Sequence, residues 1–358
     1  MSNMRKFIIA IFIFVIPFIL LLLPYFITDP FKVLYFYSSY YPESEDEVYI
    51  ETNRSYVSTR MYLQNKEKEQ YDSFIFGSSK SGFFCVEDWK KYLPDNASCF
   101  HYDGSDESLY NIWRKIIYVN GKSTIKNALF CIDYQLLSKD TQDLAHLCIL
   151  DPVLVDKNFT AFHKSFLKAY LTPKFLSGYF DYLIRGVQPY MYETQLFVKC
   201  SYIGYNAKYN ESGNRYRNVI KFNDYFYKNN QNNFPQRPDT LKYISPILTH
   251  KHKEMLKDIR TILDNNHTNY LFIINPNYEQ IKLNKNDSLF LDSIFDKKVI
   301  DFSGKNRITE DYHNYIDHAH FTGYVASELM RIAYEKNHTK QIMMLDSLYN
   351  INNNDSDK

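Results

Sequence analysis

Two textures of apolar sequence run along this chain. The first is one long block, Phe7–Ile27, reading FIIAIFIFVIPFILLLLPYFI with no charge and no strongly polar side chain. As a helix rising about 1.5 Å per residue, it can cross a hydrocarbon core about 30 Å thick. The second texture begins at Tyr71. Short β-rich runs recur at Asp72–Gly77, Ser98–Asp103, Asn127–Tyr134, Asn269–Pro276 and Lys298–Gly304. Unbroken apolar runs of this length suit strands buried on both faces of a parallel sheet. Helical periods lie between them. In Thr249–Asn266, Met255, Ile259 and Ile262/Leu263 recur at helical spacing among charges, and Glu107–Tyr118 and Gly323–Tyr334 read the same way. This alternation predicts an α/β fold: a three-layer α/β/α sandwich around a parallel five-stranded sheet.

The remaining sequence is polar, and it sets the expected domain plan. Residues 1–30 read as a cytoplasmic tail and transmembrane signal anchor. A cleavable leader has a shorter apolar region, roughly 7–15 residues, and small residues at its cleavage site; here bulky residues follow the run. Pro17 and Pro24 are tolerated in a membrane helix. Arg5 and Lys6 precede the span, whereas Asp29 and Lys32 follow it, so the positive-inside bias sends the rest outward. Residues 31–70, Tyr-rich and without a sustained period, read as a stalk. Residues 71–340 form the α/β domain, interrupted by an insertion at 138–247 that is expected to cap one end of the sheet as a lid. The Asn/Asp-rich end, 341–358, reads as a flexible tail.

Charge and cysteine content narrow the chemistry. The 42 Lys and Arg nearly balance the 41 Asp and Glu, and there is no basic block, so nucleic acid is not an expected partner. Aromatics reach 17%, which fits either an AT-rich genome or sugar stacking. The 5 cysteines make no CxxC pair and no zinc-spaced Cys/His cluster, so neither a metal nor a cofactor is expected. Cys99 and Cys131 fall inside strands, where cysteine behaves as a small buried apolar residue.

Two short motifs carry candidate chemistry. Phe76-Gly77-Ser78-Ser79-Lys80-Ser81 follows the first strand, and in open α/β sheets function gathers at the carboxyl ends of strands. Gly77 permits a tight turn there. A serine on that turn can present its hydroxyl above the sheet edge, with backbone N–H groups beside it for a developing oxyanion. Tyr315-Ile316-Asp317-His318-Ala319-His320-Phe321 lies between the last strand and the last helix. An Asp three residues before a His can share one side of a turn and hold the imidazole as a base. Ser78, His313 and His318 are the rivals to Ser79 and His320.

In this order and at these positions, the motifs resemble the SGNH (GDSL-like) hydrolase superfamily. The closer likeness is to membrane-anchored members associated with cell-surface polysaccharide O-acylation, which show Gly-Ser-Ser followed by a basic residue. The segment DFSGKNRITEDYHNYIDHAHFTGYVASELM looks like their C-terminal block. The resemblance implies Ser79 as nucleophile, His320 as general base and Asp317 as its orienting partner. It further implies an oxyanion hole from the N–H groups of Ser79 and Gly104, with Lys80 and Asn275 as possible substrate-binding residues. The third block departs from the pattern. Where the superfamily has Gly-x-Asn-Asp, this chain has Cys131-Ile132-Asp133-Tyr134, and an ionised Asp133 would repel an oxyanion. The implied activity is that of an extracytoplasmic serine esterase or O-acyltransferase acting on an exported or surface glycan. A multi-pass membrane O-acyltransferase is an implied partner. The alternative is a non-catalytic scaffold of polysaccharide assembly that keeps the fold.

Overall fold

The computed structural model describes residues 3–44, 47–200, 203–211, 224–237 and 240–335, so the tail 341–358 lies outside the described residues. The chain forms two compact units: residues 1–52 with 163–200, and residues 53–162 with 201–358.

The second unit is an α/β domain. Its strands are β1 (Ser73–Gly77), β2 (Cys99–Asp103), β3 (Asn127–Ile132), β4 (Lys242–Tyr243), β5 (Asn269–Ile274), β6 (Ile281–Lys282) and β7 (Val299–Asp301). Five of them form a parallel sheet in the order β2-β1-β3-β5-β7, while β4 and β6 make a separate two-stranded parallel pair. The order reverses at β1, and that places Ser79 at the switch point where open α/β sheets put their ligands.

Alternate residues explain why the strands read as unbroken apolar runs. Ile75, Cys99, Leu129, Cys131, Ile273 and Ile300 share one core with the helix Gly323–Tyr334 and with Trp89. The opposite face carries Phe74, Phe76, Phe100, Tyr102, Phe130 and Phe272. Phe130 stacks on Phe272 with ring centroids 4.1 Å apart, and Tyr62 stacks on Tyr102. Both faces are therefore buried, and even the polar residues within the strands, such as His101 of β2, are buried and mark no solvent side. The third strand ends at Ile132, not Tyr134, because Asp133 caps the short helix Tyr134–Leu137 by accepting from Leu136 N–H.

Two boundaries differ from the sequence reading. Residues 31–70 are not a stalk, since the helix Arg54–Glu69 belongs to the α/β unit and buries Arg54 through Thr59, Met61 and Tyr62. Arg54 pairs with Asp103 at 2.8 Å, and Ser58 donates to the same carboxylate. The domain thus begins at Asn53, whose side chain caps that helix. Residues 138–247 are not one lid. Their middle, 163–200, belongs to the first unit, whereas 203–211 covers the edge strand β2 by way of the His101 N–H bond to Tyr209 O.

The first unit contains the helix Asn3–Thr28, with Pro17 and Pro24 inside it. Its Ile9–Thr28 stretch, at mean hydropathy 2.8, is long and apolar enough to cross a membrane. The helix end is built into the unit: Tyr170 Oη donates to Leu21 O at 2.9 Å, and Tyr179 Oη donates to Thr28 Oγ1 at 2.7 Å. Asp29 then accepts the N–H groups of Val33 and Leu34, which fixes the exit turn.

Candidate active site

β1 ends in a glycine for a steric reason. A Cβ on Gly77 would lie 2.5 Å from Cys131 O and 2.6 Å from Ser81 Cβ. The chain then turns at Ser78 into a 3-10 helix, Ser79–Phe83. Ser81 ties that turn closed, giving both its N–H (2.8 Å) and its hydroxyl (2.7 Å) to Ser78 O. Ser78, Lys80 and Ser81 are buried, and Ser79 alone between Phe74 and Ser81 is exposed. Its N–H opens the 3-10 turn and so has no acceptor inside it.

The second motif folds as a small closed loop. Tyr315 and Phe321 form an antiparallel bridge, and Ile316 N–H donates to His320 O. Within it Asp317 Oδ1 accepts the N–H groups of Ala319 (2.7 Å) and His320 (2.8 Å). The carboxylate also faces His320 Nδ1 at 3.1 Å, and His320 Nε2 lies 3.0 Å from Ser79 Oγ. Residues 241 positions apart thus meet in a continuous Ser–His–Asp chain. Burial acts to raise the Asp317 carboxyl, but the His320 hydrogen bond and charge, with the two backbone N–H groups, outweigh it and hold the acid below its ordinary range. An Asp kept ionised favours the tautomer with hydrogen on Nδ1, leaving Nε2 free to take the serine proton.

The rival histidines are placed elsewhere. His313 Nδ1 sits 2.9 Å from Asp311, while His318 is exposed and bonded through its backbone N–H to Asn233 O. Gly104 follows β2 beside the Ser79 turn, since Asp103 is in register with Gly77. It is buried, and a Cβ there would come 1.8 Å from Glu107 Oε1, so glycine is required for that close approach.

Lys80 and Asn275 are not free to reach a substrate. Lys80 is 6% exposed and pairs with Asp133 at 2.8 Å, with a longer bond to Gln135. The aliphatic stem is drawn under the turn because a buried carboxylate needs a cation. This pairing also removes the objection raised by the altered third block: Asp133 is neutralised by Lys80 and engaged in capping, not aimed as a bare anion at Ser79. Asn275 is wholly buried at the end of β5, its N–H given to Ile132 O and its side-chain amide without a partner among the described residues.

Three further residues support the site without having been singled out in sequence. His101 Nε2 meets Ser81 Oγ at 3.0 Å, and its Nδ1 faces Glu211 Oε1 at 3.4 Å. Since Ser81 spends its only hydroxyl proton on Ser78 O, the imidazole donates from Nε2, and a buried Ser81–His101–Glu211 cluster underlies the turn. A histidine inside the apolar run SCFHYD was the available signal. Tyr227, from the insertion, gives its hydroxyl to His313 O (2.9 Å) and Tyr315 O (3.0 Å), bracing the base loop. Burial pushes its phenol up to about 12, so it remains a donor at any physiological pH.

Elsewhere, Asp106, Asp143 and Cys148 come close enough for one ion, but Asp106 is already paired with Lys139. A polar cavity of about 360 Å³ opens at the other end of the sheet, beside Asp72 and Lys126, away from Ser79. No disulfide joins the cysteines among the described residues. No protein-family model and no curated protein matches this chain.

Proposed function

We propose that this chain is an SGNH-type serine esterase or O-acyltransferase, its sheet the centre of a three-layer α/β/α sandwich. In this reading Phe7–Ile27 anchors it in the cytoplasmic membrane with the α/β domain on the extracytoplasmic side. Its substrates are acyl, chiefly acetyl, esters of an exported or cell-surface glycan, delivered where a multi-pass membrane O-acyltransferase brings acyl groups across the bilayer. One observation carries the reading: an exposed serine at the switch point of a parallel sheet lies 3.0 Å from a histidine that is itself held by a half-buried carboxylate.

The chemistry follows from that contact. Ser79 Oγ attacks the ester carbonyl as its proton passes to His320 Nε2, and the carbonyl π electrons move to oxygen. The N–H groups of Ser79 and Gly104 take the oxyanion. Collapse breaks the bond to the sugar oxygen, which leaves with the proton from Nε2, and an acyl-Ser79 remains. Water then regenerates the enzyme as an esterase; a second sugar hydroxyl does so as a transferase. A scaffold reading is favoured by one feature, the absence of the third-block Asn. Incubating purified protein with an acetyl ester and mapping adducts by mass spectrometry separates the two. Acetylated Ser79 peptide supports the enzyme, whereas unmodified Ser79 with no ester turnover leaves the scaffold.

A further inference from the structure

The helix Pro173–Arg185 is apolar on two faces, and the fold uses only one of them. Phe175, Tyr179 and Tyr182 recur at helical spacing on the inner side. Phe175 lies 4.9 Å from Phe31 ring to ring, and Tyr182 packs with Met191, Leu196 and Phe197. Leu176, Phe180, Leu183 and Ile184 recur on the other side, and the exposed end of this stripe runs on to Val187 just past the helix. Leu183 is 42% exposed, Ile184 80% and Val187 43%. A surface helix keeps one apolar stripe toward its core and polar residues opposite; a second stripe requires a second apolar environment.

The place of this helix in its unit says which environment. It is hydrogen-bonded through Tyr179 to Thr28, the last residue of the apolar helix, and its neighbour Tyr170 is bonded to Leu21. Tyr35 and Phe36, just past that helix, are exposed as well, and so are Tyr190 and Tyr192. Exposed tyrosines beside the end of a span match the aromatic belt of a membrane–water interface. The segment 163–200 also carries Lys164, Lys168, Lys174, Arg185 and Lys199 against only Asp181 and Glu193, a bias suited to anionic headgroups. We infer that the Leu176–Val187 face lies in the lipid headgroup boundary, so that the chain holds the membrane by an interfacial helix as well as by its span. This rests on the reading of Phe7–Ile27 as an anchor.

The test uses the full chain in vesicles of phosphatidylcholine and phosphatidylglycerol with brominated acyl chains, which quench nearby indoles. Ile184→Trp is compared with Phe14→Trp in the apolar helix and with Leu289→Trp, an exposed position of the α/β unit. A ring sunk roughly 5–10 Å into the boundary should lose about half of its added emission, while Leu289→Trp is unaffected. Quenching of Phe14→Trp without Ile184→Trp overturns the interfacial helix and leaves the anchor standing. Quenching of neither overturns both. An Ile184→Trp signal that ignores lipid but changes with protein concentration gives the face to a second copy instead, and overturns the inference.

Discussion

Ser79 is the only exposed side chain between Phe74 and Ser81, and that contrast decides which serine of the pair can act. Ser78 lies next to it with its carbonyl held by Ser81. Ser79→Ala and His320→Ala should each lower ester turnover by roughly 10⁶-fold, and Asp317→Asn by roughly 10⁴-fold, the scale seen where such a unit is intact. Ser78→Ala should retain most activity in the same assay. The pH dependence follows from Asp317. Its folded pKa is depressed, so its stabilising contribution is complete above the unfolded value of about 3.9 and is lost as pH falls through the folded value. Folding stability in urea should therefore fall as pH drops below about 3.9, and less steeply in Asp317→Asn, which lacks the depressed acid. An equally steep fall in Asp317→Asn would contradict this.

Among the elements, the Ser79 turn and the helix Arg54–Glu69 depend on buried ion pairs that no local pattern announces. Lys80→Met leaves Asp133 buried and alone, at a cost of about 3–5 kcal/mol. Adding Asp133→Asn should recover most of that, because an amide can still cap Leu136 N–H without a charge; urea unfolding of the single and double variants reads this directly. Arg54→Leu should cost a similar amount. Burial pushes Asp103 up, while Arg54, with His101 and Lys115, holds it below the ordinary carboxylate range, so the variant uncovers a buried acid. These pairs also show what sequence could and could not reveal. The strands were legible because both faces of the sheet are dry, which leaves runs such as NALFCI without polar interruption. The helix Arg54–Glu69 was not, because its buried side mixes Tyr56, Val57, Met61 and Tyr62 with Arg54, Ser55, Ser58 and Thr59, and Arg54 and Ser58 read as solvated until Asp103 supplies their partner. Ser79, Asp317 and His320 were legible as two motifs, and only the fold brings them together. Lys80 looked available to substrate because Asp133, 53 positions away, gives no local sign of pairing.

For the whole molecule, the division into two units separates the apolar helix from the sheet. Residues 1–52 and 163–200 hold the apolar helix, and the remainder carries the sheet and Ser79. The end of the apolar helix is tied to Tyr170 and Tyr179, so removal of residues up to 28 would strip that unit of packed partners. The protein should accordingly remain at full length in membranes and resist carbonate extraction; recovery of a shortened soluble chain would oppose an uncleaved anchor. A periplasmic-type reporter fused after Lys358 should be active, and activity of a cytoplasmic reporter there would reverse the orientation. The central claim is that Ser79 is made nucleophilic by His320, and a fluorophosphonate probe tests it most directly on the intact membrane-bound protein. The account predicts stoichiometric labelling mapped to Ser79, absent in Ser79→Ala and nearly absent in a folded His320→Ala. Labelling at another serine, or undiminished labelling of His320→Ala, would contradict it.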